Sequence, residues 1–135
     1  MKQILILIGM LLTGTAIGQQ PQFIMPLWFE DAIGNRDTIW VGADYRASYQ
    51  NINPQFGERA ITSSFDSIFE VRAVHSDDDD WETSKVIVDF SDFGPSHCPL
   101  YGGTRIMIQC RYLPVTISWD TTLLATNYPC NVNAI

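Results

Sequence analysis

Apolar and polar residues alternate along several short segments of this chain, and that alternation limits its fold more than any other feature. "RDTIWVG" (residues 36–42) places Ile39 and Val41 on one side of an extended chain and Trp40 on the other. Because successive side chains of a strand point to opposite faces, the pattern predicts a half-buried β-strand. The same alternation occurs in residues 67–74, 85–90, 104–112 and 114–120.

These segments predict an all-β domain with one shared interior. Turn residues separate them and no helical period is sustained, which favours an antiparallel, immunoglobulin-like β-sandwich over alternating β-α units. Pro26 interrupts "FIMPLWF" (residues 23–29) and predicts that this segment is an edge strand or a bulged strand. The residues expected to point inward are Phe69, Val71, Ala73, Val86, Val88, Phe90, Ile106, Ile108, Cys110, Val115, Ile117 and Trp119.

The acidic stretch "FEDAIGNRDTIWVGAD" (residues 29–44) has two readings, a calcium loop or the turn of a β-hairpin. An EF-hand loop requires oxygen ligands at alternate positions, but in a loop that begins at Asp31 the third position is Ile33, and no Glu closes the loop. Gly34 and Asn35 are residues that tolerate the positive φ angles of a tight turn. The sequence therefore favours a hairpin.

The N-terminus indicates export. Lys2, an apolar run and the small residues Ala16 and Gly18 follow one another as in a secretory signal peptide, so we expect a signal-peptide helix in residues 1–18 and one domain in residues 19–135. The run is too short for a permanent membrane span. The chain carries 15 acidic and 8 basic residues, with a net charge of −7. This charge repels nucleic-acid backbones and anionic membranes.

Three cysteines leave one unpaired in any intramolecular disulfide arrangement. Cys110 shares a strand side with Ile106 and Ile108 and is predicted to be a buried thiol. Cys98 and Cys130 lie in proline-containing loops and could pair in an oxidising compartment. Three pairings are open, and the sequence does not choose between them.

Four segments carry a resemblance to a known group of proteins. They are "FEDAIGNRDTIWVGAD", "INPQFGE", "FEVRA" and "LPVTISWD". Together they resemble the N-terminal module of secreted bacterial proteins that carry a C-terminal type IX secretion sorting domain. The resemblance implies a β-sandwich and export to the cell surface or medium, and it implies no chemistry. The sequence ends at "CNVNAI" with no sorting domain, so the alternatives are a fragment of a longer protein or a periplasmic protein.

Candidate metal and catalytic residues are few. The run Asp77, Asp78, Asp79 and Asp80 predicts either a solvated loop or a calcium site, which makes calcium the one cofactor left open. His75, His97 and Cys98 do not show the spacing of a zinc site or of a nucleophile with its base. A carboxylate pair of a glycan-acting hydrolase could meet across a cleft, but nothing in the sequence selects one.

Aromatic residues give the better indication of function. Trp28, Trp40 and Trp81 are not forced inward by the alternation, and exposed rings can stack on sugars or on a partner protein. For Trp28 and Trp40 a core position is the alternative. Tyr101 in "LYGG" could join Trp81 in a ligand-binding site.

"DTI", "DSI" and "DTT" are similar to the O-glycosylation acceptor pattern of exported proteins in bacteria with type IX secretion. Under this resemblance Thr38, Ser67 and Thr121 would carry sugars.

The sequence as a whole predicts an exported, non-catalytic module that binds a glycan or a protein partner. The alternatives are a secreted hydrolase and a spacer without a ligand. Nucleic acid is not an expected partner, and the sequence does not indicate an oligomeric state.

Overall fold

The computed structural model describes residues 18–49, 51–77, 80–90 and 104–123, and of residues 76, 77 and 80 only the backbone. These parts of the chain form seven β-strands and one short 3₁₀ helix, Pro54–Phe56. The strands are β1 (Phe23–Glu30), β2 (Arg36–Asp44), β3 (Phe69–Asp77), β4 (Asp80–Ser84), β5 (Val86–Phe90), β6 (Arg105–Cys110) and β7 (Thr116–Trp119).

The strands form two sheets that pack as a β-sandwich. Sheet A has the order β5-β2-β1-β7, and sheet B has the order β4-β3-β6. All pairings are antiparallel except that of β2 with β5, which is parallel. The prediction of an all-β, antiparallel sandwich is therefore confirmed as an all-β fold with mainly antiparallel sheets, and the β2–β5 pair is the exception. A long connection through sheet B separates β2 from β5, and a parallel pair requires such a crossover.

The main core lies between the two sheets. The inner faces of both sheets contribute buried apolar residues, namely Phe29, Ile39, Phe69, Val71, Ala73 and Ile87. Leu27, Val41, Ile106, Cys110 and Val115 pack around this cluster and are partly buried. The alternation thus predicted the inward side chains of β3 correctly and separated the two faces of β2.

The prediction of which β5 side chains point inward was wrong. Ile87 lies in the core, whereas Val86, Val88 and Phe90 lie on the outer face of sheet A. Val88 is nevertheless buried, because Phe56 and Ala47 cover it from outside. Because both faces of β5 carry apolar residues, the sequence pattern does not show which face points to the core.

The inward residues of the two edge strands β6 and β7 are less buried than predicted. Ile108, Ile117 and Trp119 lie on the inner side of their sheets by register, opposite Val71, Phe29 and Leu27. Their exposed fractions are nevertheless 40%, 44% and 39%. Within the described parts of the chain, the side of the sandwich where β6 and β7 form the edges is therefore open.

The acidic stretch 29–44 is the β1–β2 hairpin, as predicted. One oxygen of the Asp31 carboxylate accepts hydrogen bonds from the backbone N–H groups of Ile33 and Asn35, and the other accepts from the Asn35 side chain. Gly34 has a φ of 90°, a conformation that glycine adopts without a steric penalty. The carboxylate of Asp31 thus stabilises the turn.

β1 is an inner strand of sheet A and pairs with β2 in an unbroken register, so the prediction of an edge strand or a bulged strand was wrong. Pro26 pairs with Trp40, whose N–H donates to Lys85 on the β5 side. The backbone groups of Pro26 therefore face β7, and β7 pairs with β1 only from Leu27 onward. The missing N–H of proline falls where no ladder partner is present, which is why the sheet tolerates it.

The chain passes from sheet B to sheet A through one residue, Lys85, between Ser84 and Val86. The Lys85 ammonium donates to the carbonyl of Val71 (2.6 Å), and Asp37 accepts from the N–H of Val71 (2.7 Å). β4 ends at Ser84, the partner of Ala73, so it provides no partner for the backbone groups of Val71. The side chains of Lys85 and Asp37 take the place of these missing ladder bonds.

Candidate functional site

Trp28 and Trp40 lie side by side on the outer face of sheet A. Their strand neighbours Leu27 and Ile39 pack in the core, so the alternation turns both indoles outward. Trp28 pairs with Thr38, two residues before Trp40, which makes the two tryptophans diagonal cross-strand neighbours. Such positions lie within reach of aromatic side chains. The exposed fractions of Trp28 and Trp40 are 43% and 42%, so neither is a core residue.

The two indoles are exposed because the outer face is only half covered. Residues 45–57 cover one end of the sheet, where Phe56 and Ala47 pack on Val88 and Ile24. Among the described residues of this connection, the apolar cover extends along the strands as far as Val86, the partner of Trp40. The other end of the face remains accessible to a ligand.

Polar side chains surround the indoles on the same face. A groove of about 290 Å³ borders Trp28. The ion pair of Glu30 and Arg36 lies at one end of it, with Nε 2.9 Å from Oε2. The outward residues that line the groove with Trp28 are Glu30, Arg36, Thr38, Thr116 and Ser118. We name these six residues together with Trp40 the tryptophan face.

The tryptophan face has the groups that recognise a sugar. An indole offers a flat apolar surface for the C–H side of a pyranose ring, while hydroxyl, carboxylate and guanidinium groups bond to sugar hydroxyls. Because Arg36 is already paired with Glu30, the face offers no free positive charge for an anionic ligand.

Trp81 lies in strand β4, not in an acidic loop as the sequence suggested, and its ring is exposed. It borders a second groove, of about 320 Å³, with Ile61, Phe65 and Arg72. The Arg72 guanidinium lies 4.2 Å from the centre of the Phe65 ring and donates to the carbonyls of Ser63 and Ser64.

Arg72 is held in place by Glu70. Two hydrogen bonds of 2.7 and 2.9 Å join the guanidinium to the carboxylate, and the pairing lowers the pKa of Glu70 to about 2. The positive charge in this groove is thus neutralised, and the groove offers mainly apolar walls.

A buried array of Ser84, His75 and Glu58 lies inside the sandwich, and the sequence pattern had identified only His75 among them as a candidate residue. His75 Nε2 is 2.7 Å from Ser84 Oγ, and Ser84 donates its own hydrogen to the carbonyl of Val86. Nε2 must therefore carry a hydrogen and donate it to Ser84. His75 Nδ1 lies 3.9 Å from Glu58 Oε2.

The Glu58 carboxylate has a structural task. It accepts hydrogen bonds from the N–H groups of Val88 and Asn53, and the Asn53 side chain donates to the carbonyl of Val88. Glu58 and Asn53 thus satisfy the free edge of β5. Burial raises the pKa of Glu58 to about 7 and lowers the pKa of His75.

The Ser84 array differs from a nucleophilic triad in two respects. A nucleophilic serine presents its hydroxyl to the substrate and gives its proton to the histidine. Here all three side chains are buried, and the proton of Ser84 goes to the main chain. The array therefore braces the corner where the chain changes sheets.

The remaining predicted site residues fall partly outside the described residues. Tyr101, His97, Cys98, Cys130, Asp78 and Asp79 lie there, so the proposed disulfide and most of the acidic run lie outside as well. Asp77 and Asp80 close the β3–β4 hairpin, where they pair in register. Within the described ranges, no group of three or more His, Cys, Asp or Glu residues could hold a metal ion.

The three predicted glycosylation positions differ in their surroundings. Ser67 and Thr121 are exposed, whereas Thr38 is half-buried on the tryptophan face. Cys110 is free and only partly buried, and its thiol donates to the carbonyl of Tyr112 (3.3 Å). The predicted buried thiol is thus only half-buried against the core, because β6 is an edge strand.

Comparison with family models, with curated proteins and with solved structures gives no match for this chain. Among the described residues, no helix is long and apolar enough to cross a membrane.

Proposed function

We propose that the protein is an exported, non-catalytic β-sandwich module that binds a neutral polysaccharide through the tryptophan face. The observation that carries the proposal is the exposure of two adjacent indoles, Trp28 and Trp40, on a sheet face beside three hydroxyl side chains. Contiguous apolar patches on a protein surface commonly mark binding sites, whereas single exposed apolar residues do not.

The charge of the protein supports a neutral ligand. A net charge of −7 repels anionic polysaccharides, and the exposed Arg36 is paired with Glu30. The signal-peptide pattern of residues 1–18 supports export, and with it an extracellular or cell-surface glycan as the ligand. We also propose that the sandwich is of the immunoglobulin-like type.

Binding is tested by affinity electrophoresis and calorimetry with hydroxyethylcellulose, xylan, galactomannan and glycogen, and with alginate as the anionic control. We expect retention by at least one neutral polymer and none by alginate. Trp28→Ala and Trp40→Ala should each weaken binding about tenfold or more, which corresponds to about 1.4 kcal/mol. Trp81→Ala is the matched control, because it removes an exposed tryptophan from the other sheet.

Two results would overturn the proposal. One is the absence of binding to every neutral polymer, and the other is an equal loss of affinity in Trp81→Ala. If a variant fails to fold, the indole N–H signals of the unmodified protein replace it in the test. Those of Trp28 and Trp40 should shift on titration, while that of Trp81 should not.

A further inference from the structure

β6 is an edge strand of sheet B, and its backbone groups that point away from β3 could pair with a further strand. Arg111 N–H donates to the carbonyl of Ile68, and in an antiparallel ladder every second residue bonds to the same neighbour. Cys110, Ile108 and Ile106 are therefore the residues whose N–H and C=O groups point away from β3. Within the described parts of the chain, no backbone group bonds to these three residues from that side.

The same three residues point their side chains toward the interior of the sandwich. By register, Ile106, Ile108 and Cys110 face inward beside Ala73, Val71 and Phe69. An added strand would thus find its hydrogen-bonding partners and an apolar surface at the same positions. This combination is the one used in recognition by strand addition.

The opposite wall of this opening is also apolar and exposed. Ile117 and Trp119 on β7 point to the inner side of sheet A, yet both remain about two-fifths exposed. Together with Ile106, Ile108 and Cys110 they form what we name the open seam. Exposed edge strands are normally blunted by proline or by inward-pointing charges, and β6 contains neither in "RIMIQC".

The charges beside β6 indicate the kind of strand that fits. Arg105 and Arg111 are exposed at the two ends of β6 in a protein whose net charge is −7. The residues of an added strand that face outward would lie near these two guanidinium groups, where acidic side chains are favoured. Those that face inward would enter the seam, where apolar side chains are favoured.

We propose that the open seam binds an extended segment of a partner protein in which apolar and acidic residues alternate, added to sheet B alongside β6. Backbone hydrogen bonds to Ile106, Ile108 and Cys110 hold the segment, and its apolar side chains cover Ile117 and Trp119. This surface is separate from the tryptophan face, so each proposal can fail without the other.

The probe is the peptide acetyl-Glu-Val-Glu-Ile-Glu-Val-Glu-amide, titrated against the ¹⁵N-labelled protein. We expect the largest amide shifts at Ile106, Ile108 and Cys110, together with a change in Trp119 fluorescence. A peptide with Lys in place of Glu should bind about tenfold more weakly. A peptide N-methylated at alternate residues cannot complete the ladder and should also lose about tenfold.

Two variants of one residue separate the backbone contribution from the side-chain contribution. Ile108→Ala removes the side chain and keeps the N–H, whereas Ile108→Pro also removes the N–H that points away from β3. We expect Ile108→Pro to bind more weakly than Ile108→Ala. Phe90→Ala is the matched control, since Phe90 is an exposed apolar residue at the opposite edge of sheet A.

Three outcomes would overturn the proposal. They are equal binding of the N-methylated and unmodified peptides, amide shifts centred away from β6, and no binding at millimolar peptide concentration. Sedimentation over a range of protein concentrations gives a further test. A dimer that disappears in Ile108→Pro would assign the seam to a second copy of this chain instead.

Discussion

Asp37 and Lys85 form an ion pair between the two sheets, with Lys85 Nζ 2.5 Å from Asp37 Oδ2. Each of the two side chains also bonds to the main chain of Val71. An interaction that joins both sheets and replaces missing ladder bonds should contribute more than an ordinary surface ion pair.

Lys85→Met should therefore destabilise the protein by about 1 to 3 kcal/mol, because it leaves the Val71 carbonyl without its donor and the Asp37 carboxylate without its positive partner. Arg36→Met is the matched control. It breaks the exposed pair with Glu30 and should change the free energy of unfolding by less than about 0.5 kcal/mol. Urea denaturation at neutral pH measures both, and equal losses would contradict the interpretation.

The raised pKa of Glu58 predicts a pH dependence of stability. The unfolded chain releases the Glu58 proton near pH 4.5, whereas the folded protein retains it to about pH 7. The unfolded state binds fewer protons in this window, so the contribution of Glu58 is greatest below pH 4.5 and is lost as the pH rises to 7. A shift of this size corresponds to about 3 kcal/mol. The lowered pKa of His75 acts in the opposite direction below pH 6.5.

Glu58→Gln cannot ionise and should remove this fall in stability between pH 4.5 and pH 7. The measurement is the denaturation midpoint across that range for the unmodified protein and the variant. Glu82→Gln, at an exposed position of β4, is the control and should keep the original profile. An unchanged slope in Glu58→Gln would show that another group causes the pH dependence.

Gly42 is required by close packing inside sheet A. A Cβ atom at this position would lie 2.5 Å from the carbonyl oxygen of Phe23 and 3.3 Å from Val88. We expect Gly42→Ala to cost about 2 kcal/mol or more, because the backbone itself must move. Gly34→Ala places a side chain at a φ of 90° but meets nothing closer than 4.0 Å. Its cost should be about 1 kcal/mol.

Ile87 and Phe90 test whether the strand faces of β5 are assigned correctly. Ile87 lies in the core, and Ile87→Ala should cost about 2 to 5 kcal/mol. Phe90 is nearly half exposed, and Phe90→Ala should cost less than about 1 kcal/mol. Chemical denaturation measures both losses. A larger loss in Phe90→Ala than in Ile87→Ala would support the inward position of Phe90 that the alternation predicts.

The sequence predicted the features that depend on neighbouring residues. The hairpin at Asp31 and Gly34, the two faces of β2 and the inward side chains of β3 follow from turn chemistry and from the pleat of a strand. β5 was misassigned because Ala47 and Phe56 cover its outer face at Val88, and that contact joins residues far apart in the chain.

The site was predictable only in part. Alternation identified Trp28 and Trp40 as outward candidates, but their exposure depends on how far residues 45–57 extend over the sheet. The contact between His75, Ser84 and Glu58 depends on the corner at which the chain changes sheets. No local pattern of residues specifies that corner.

The passage through Lys85 has a consequence for dividing the protein. β4 and β5 belong to different sheets, yet only one residue, Lys85, separates them. A cut at Lys85 would leave β1 to β4 without β5, the edge strand beside β2, and the second fragment would carry β6 without its partner β3. Neither fragment would contain all the strands of sheet A or of sheet B. The two fragments should therefore fold only when they are produced together.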